Sequence, residues 1–297
     1  MSVLRIVVAV LQSSIFLIVC SLGMHSSVED ALHLLRRPSL LLRSILAMNV
    51  LVPLIAVTMA ASFNLSPPLK AALILVAVSP VPPLLPRQLE KMGGSPGYVC
   101  GLLATEALFA IVLIPVSLLI IGRLFTHDVH VPPRLIAKVV SMTILLPLGL
   151  GMLVHRFLPR QAEVLRKPVA GIAFALFLVS TAVLLVAVAP LLLRQVDSRV
   201  IFAIIIFVVA DVAVGHWLGG PEPRDRTVLA MATASRHPGL AIAIAVSTFP
   251  AYGRQIAALI LLYVLVRAVV LITYNARQKH KLALHLQRER TSDRQAA

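Results

Sequence analysis

Within one long apolar stretch, the run Ala234-Ser235-Arg236-His237-Pro238-Gly239 places a hydroxyl, a guanidinium and an imidazole on three consecutive residues. A guanidinium stays charged at physiological pH and offers five N–H donors in a planar fork, which suits carboxylates and sulfonates. At the centre of a bilayer it costs roughly 2.5 to 3.5 kcal/mol on insertion scales, so Arg236 requires a partner or a wet cavity. Two readings stay open for it: part of an anion site, or a structural ion pair with Asp211 in the preceding apolar segment. His237, with a reference pKa of about 6.5, reads as a proton carrier or as a hydrogen-bonded helix cap. Glu106, beside Thr105, is the other intramembrane carboxyl. It reads as a proton site, an interhelical hydrogen-bond acceptor or a partner of Arg267. Ser235 with His237 would be the nucleophile and base of an intramembrane enzyme, but side chains at i and i+2 of a helix do not face each other. Gln12, Ser13 and Ser14 near the start of the chain, and Ser180-Thr181 later, read either as cavity lining or as interhelical glue.

These residues sit in a chain of 297 residues that is 59% hydrophobic and 13% charged, with a mean hydropathy of +0.95. Soluble domains carry roughly 25% charged residues, so the composition is that of an all-α polytopic membrane protein. Nine apolar segments are expected: 3 to 24, 39 to 61, 69 to 92, 97 to 121, 133 to 156, 168 to 192, 199 to 219, 225 to 249 and 254 to 276. They form one transmembrane domain over 1 to 276, followed by a basic tail over 277 to 297. No room remains for a soluble catalytic module. Cys20 and Cys100 form neither a CxxC nor a Cys/His spacing, which argues against a disulfide framework or a zinc site. His127 and His130 have no third ligand nearby and read as loop residues. Gly149-Leu150-Gly151 follows no strand and reads as close packing inside a span.

Two segments cannot be continuous helices. Ser79-Pro80-Val81-Pro82-Pro83-Leu84-Leu85-Pro86 interrupts the third, where each proline removes a donor and clashes with the preceding turn. Ala234 to Gly239 interrupts the eighth. Interrupted apolar segments at corresponding places in two halves point to a transporter built from inverted repeats. The repeats are set at 3 to 121 and 133 to 276, the first lacking its first helix.

Loop cations set the expected orientation. Seven Lys and Arg fall in one set of alternate loops and sixteen in the other, which puts the N-terminus outside and the C-terminus in the cytoplasm of a plasma or bacterial inner membrane. The excess of cations therefore reads as topology signals and lipid contacts, and nucleic acid is not an expected partner.

The chain resembles the bile acid:sodium symporter family. Gly23-Met24, Asp30 and Arg36-Arg37-Pro38 resemble its first loop, and Asn49 four residues before Pro53 resembles its Gln-x-x-x-Pro helix. His237-Pro238-Gly239-Leu240-Ala241 is similar to the family's Asn-Ser-Gly-Leu-Ala, and Ser79-Pro80 aligns with the start of a Pro-Gly-Gly-Thr-Ala-Ser-Asn run, registering Gly94 and Pro115 on family positions. The resemblance implies two inverted five-helix repeats with crossing broken helices. In that register the family's sodium ligands fall on Leu85, Pro86, Val99, Leu103, Ala232 and Arg236, with Asn49 alone keeping an oxygen donor. Sodium needs a shell of oxygen ligands, so sodium coupling is not expected, and protons carried by Glu106, Asp211 or His237 are the candidate coupling species.

The function expected is secondary transport of a small organic anion by alternating access. Candidate substrate-binding residues are Arg236, His237, Asn49, Ser235, Pro86, Gln12 and Ser180, and Glu106 and Asp211 are candidate proton or ion-pair sites. No metal and no cofactor is expected, nor an enzyme. A transport-inactive sensor or scaffold is the alternative, with an intramembrane enzyme behind it.

Overall fold

The computed structural model describes residues 3–92, 94–124 and 133–296, and every element among them is helical. In chain order they are α1 (Val3–Gly23), α2 (Val28–Ala31), α3 (Pro38–Ser62), α4 (Pro67–Val78), α5 (Leu85–Lys91), α6 (Pro96–Leu124), α7 (Pro133–Phe157), α8 (Pro159–Leu193), α9 (Ser198–Leu218), α10 (Pro223–Thr233), α11 (Pro238–Thr248) and α12 (Gly253–Ala296). His127 and His130 lie outside the described residues. Lipid offers backbone groups no partner, so each span closes its own hydrogen bonds.

Proline punctuates this sequence. Pro38, Pro67, Pro96, Pro133, Pro159, Pro223 and Pro238 each open a helix, where the missing N–H is not needed and φ is already set. Among the described residues, eight stretches are long and apolar enough to cross a membrane, among them 223–248, which is interrupted inside. The remaining expected segment, 69 to 92, is the other interrupted one. Its first half, α4, has 12 residues and spans only about 18 Å, so only together with α5 does it approach the roughly 30 Å of a bilayer core.

The loop expected between 157 and 167 is helical instead. Only Leu158 separates α7 from α8, which runs for 35 residues, about 52 Å. Gln161, Ala162, Glu163 and Arg166 favour helix, Glu163 and Arg166 pair at i, i+3, and Ala162 is buried against Cys20 and Met24. The last span likewise continues as helical backbone from Gly253 through Ala296, so residues 277–296 extend it.

One large apolar core joins α3 to α7 with α9 to α12 and takes in Leu192 near the end of α8, while α1 packs mainly on α7 and α8. Gly23 and Gly151 meet at the α1–α7 crossing, where a Cβ on either would strike the partner's backbone. Gly149 has open space instead, so of the Gly-Leu-Gly run only Gly151 does the close packing. Both cysteines are buried and free.

Candidate functional site at the helix crossing

Both interruptions fall where the sequence puts them. α4 ends at Val78 and α5 begins at Leu85, while α10 ends at Thr233 and α11 begins at Pro238. They cross: the His237 N–H donates to the Pro80 carbonyl at 2.9 Å. Backbone freed at a break inside a membrane must find partners in the protein. The Ala234 carbonyl accepts from the Tyr263 hydroxyl at 2.7 Å, and Thr233 Oγ1 donates to the backbone carbonyl of Asp211 at 2.7 Å. His237 caps α11, its Nδ1 accepting from the Leu240 N–H at 3.2 Å, so of its two readings the cap is the one seen here. Its Nε2 lies 3.4 Å from Thr143 Oγ1.

Two prolines inside spans shape the surroundings. Pro53 in α3 and Pro147 in α7 lack the N–H that residues 49 and 143 would bond, and each is preceded by a π turn, Leu46–Leu51 and Ser141–Leu145. In the first, the Val52 N–H bonds Ala47 instead of Met48. The donor one residue further on would be Pro53, which has none, so the Met48 carbonyl is left without a partner in its own helix. Arg236 takes it, with Nη2 to Met48 O at 2.6 Å and Nη1 to Ser79 O at 3.2 Å. One guanidinium thus binds carbonyls released at two separate breaks, and the residue is only 1% exposed.

The ion pair with Asp211 is not formed as a hydrogen bond. Asp211 on α9 is fully buried and neither carboxylate oxygen accepts one, although it and Glu106 are the carboxylates in electrostatic range of Arg236. Arg236 Nε and Ser235 Oγ are also buried without hydrogen-bond partners. Glu106 on α6 accepts from Asn49 Nδ2 at 2.9 and 3.1 Å through both oxygens, the interhelical bond among its three readings, and Arg267 does not bond it.

The structure therefore gathers Arg236, His237, Ser235, Asn49, Glu106 and Asp211 around one crossing. Pro86 lies at the start of α5, buried, on the wall of a cavity at that end. Gln12 is exposed on α1, and Ser180 on α8 is buried with its hydroxyl bonded back to Leu176 O at 2.7 Å, so neither joins the cluster through a hydrogen bond. Thr143 was missed by the sequence reading. Its signal was a second polar residue four positions before a proline, the spacing of Asn49 and Pro53. Two cavities lie at opposite ends of the interrupted segment 67–91: one of about 140 Å³ between α1, α5 and α8, and one of about 370 Å³ lined by Lys70, Ile74, Leu118, Phe249 and Tyr252. Arg236 lines neither.

The family model for the sodium bile acid symporter family matches residues 13–195, which takes in α4 and α5 but ends before α10 and α11. No curated protein matches the chain. With more than half of its length matched and its span-length apolar helices, the chain belongs to the sodium bile acid symporter family and is an integral, multi-pass membrane transporter of that type.

Proposed function

We propose that the protein carries a small organic anion by alternating access between two inverted repeats, over 3 to 121 and 133 to 276, and that it does so without sodium. The observation that carries this reading is Arg236, a buried cation held by the carbonyls of Met48 and Ser79 at the meeting of two breaks. A hard ion at that place would need oxygen ligands, whereas the aligned positions Leu85, Pro86, Val99 and Leu103 offer no side-chain oxygen. The guanidinium supplies positive charge there permanently. Its Nε–H and the Ser235 hydroxyl are unpaired donors at the break, available to a carboxylate or sulfonate once a cavity opens to them. The 370 Å³ cavity, with Lys70 among apolar walls, falls in the size range of organic-ligand sites and is the proposed mouth for the anion. Proton coupling, if the carrier uses it, falls to Asp211, Glu106 or His237. The cation-rich loop set faces the cytoplasm, with the N-terminus outside.

The test is uptake in proteoliposomes with choline replacing sodium, using the carboxylate or sulfonate that most raises the melting temperature of the purified protein. Uptake should stay within about twofold, under roughly 0.5 kcal/mol. A steep sodium dependence would overturn the reading.

A further inference from the structure

The small cavity between α1, α5 and α8 shares Pro83 and Pro86 with the interrupted segment but is lined by none of Arg236, His237, Asn49, Glu106 and Asp211, and it is separate from the proposed anion mouth. Its walls carry Arg87 from α5 and Arg166 and Lys167 from α8, with His25 just beyond α1, against one carboxylate, Glu90. Among the described residues the one ion pair is Arg166 with Glu163, so neither Arg87 nor Lys167 is paired with a carboxylate.

Arg87 is held rigidly. Its Nη1 donates to the Ala170 carbonyl at 3.2 Å and its guanidinium carbon lies 4.3 Å above the centre of the Phe174 ring. That uses one of five N–H donors and fixes the plane of the others, so a bidentate partner would cost little further ordering. Arg166 is oriented in the same way by two bonds to Glu163, at 2.9 and 2.7 Å.

At about 140 Å³ the cavity is well below the roughly 300 to 1,000 Å³ of sites for whole organic ligands, but it can admit a compact oxyanion. It opens where α1 ends and α8 begins, at the end of the molecule that carries the larger set of loop cations. Basic recesses between spans on that side hold anionic headgroups.

We infer that this cleft is a phosphate-binding site, in which Arg87, Arg166 and Lys167 grip the phosphoester of an anionic lipid headgroup or a free phosphate. The ligand bridges α5 to α8 and supplements the bond that Arg87 makes to Ala170. This inference is independent of what the crossing binds.

The full chain purified in neutral detergent is titrated with inorganic phosphate at constant ionic strength. In a second arm it is titrated with phosphatidylglycerol against phosphatidylcholine, and melting temperature and native mass spectrometry are the readouts. A saturable stabilisation is expected that weakens at least tenfold in Arg87→Gln and in Lys167→Gln. Saturation by phosphatidylglycerol alone identifies a headgroup, by phosphate alone a soluble ligand, and by both a site open to either. Because Arg87→Gln also removes the α5–α8 bond, Lys167→Gln, which alters an exposed side chain, is the variant that separates binding from folding. Stabilisation by neither ligand, or equal binding in a well-folded Lys167→Gln and in the parent, overturns the inference.

Discussion

Nη2 of Arg236 lies 2.6 Å from the carbonyl oxygen of Met48, 188 positions away in the chain. That carbonyl is free because Pro53 cannot donate to it and Val52 is turned to Ala47. A proline in α3 thereby creates the acceptor that anchors the break between α10 and α11.

Replacing Arg236 by Gln removes both carbonyl contacts and leaves Asp211 buried without a compensating charge. The expected loss of stability is about 1 to 3 kcal/mol for each carbonyl left without a donor, read as a fall in melting temperature. Adding Asp211→Asn removes the lone buried carboxyl but gives the Met48 and Ser79 carbonyls no donor, so it should recover only part of the loss. In that double variant, affinity for the best carboxylate or sulfonate should still be about 10- to 100-fold weaker, and Arg236→Lys should restore only part of it. Full affinity in the folded double variant would confine Arg236 to a structural role.

Asn49 and Glu106 form the second polar contact of the crossing region. Asn49→Leu leaves a buried carboxyl without a donor, at a cost of about 1 to 3 kcal/mol. Combined with Glu106→Met the cost should nearly vanish, since both partners are then apolar. Chemical denaturation of the four proteins gives the coupling, and simple additivity would show that the bond contributes nothing.

Two glycines in α7 should respond with opposite signs. A methyl at Gly149 meets nothing, so Gly149→Ala should stabilise the helix by about 1 kcal/mol. A methyl at Gly151 would collide with the Cys20 carbonyl, so Gly151→Ala should destabilise by about 1 to 3 kcal/mol. Melting temperatures of the two variants settle this, and equal shifts would refute the α1–α7 contact.

The proposed orientation rests on the loop cations. A reporter fused at Ala297 and a cysteine introduced at Arg160 should both report the cytoplasm. External labelling of either position reverses the topology.

The breaks were legible because prolines announce them: Pro80, Pro82 and Pro83 in one span, Pro238 in the other. The bonding of Arg236 was not. A side-chain partner such as Asp211 can be guessed from sequence, but backbone carbonyls carry no residue identity, and which one is free depends on the turn around it. Asn49-x-x-x-Pro53 stands out because Asn is rare in a span, whereas Thr143-x-x-x-Pro147, the same spacing in α7, is masked by the ordinary occurrence of threonine there. The helical link at 159–167 was hidden because its charges lower the hydropathy while its helix-forming residues sustain the backbone. Gln12 and Ser180 show the converse, since polar type alone says nothing about which way a side chain on a span faces.

A cation that is part of the chain has an energetic consequence for the carrier. A bound ion that crosses with its cargo lends the free energy of its gradient to the substrate, whereas Arg236 is never released and can lend none. On the sodium-free reading, a monovalent anion moving alone carries net charge across the bilayer. Each 100 mV of inside-negative potential then shifts its distribution by about 2.3 kcal/mol toward the exterior. Such a carrier is driven toward efflux by the membrane voltage, unless a proton bound at Asp211 or Glu106 travels with the anion and cancels its charge.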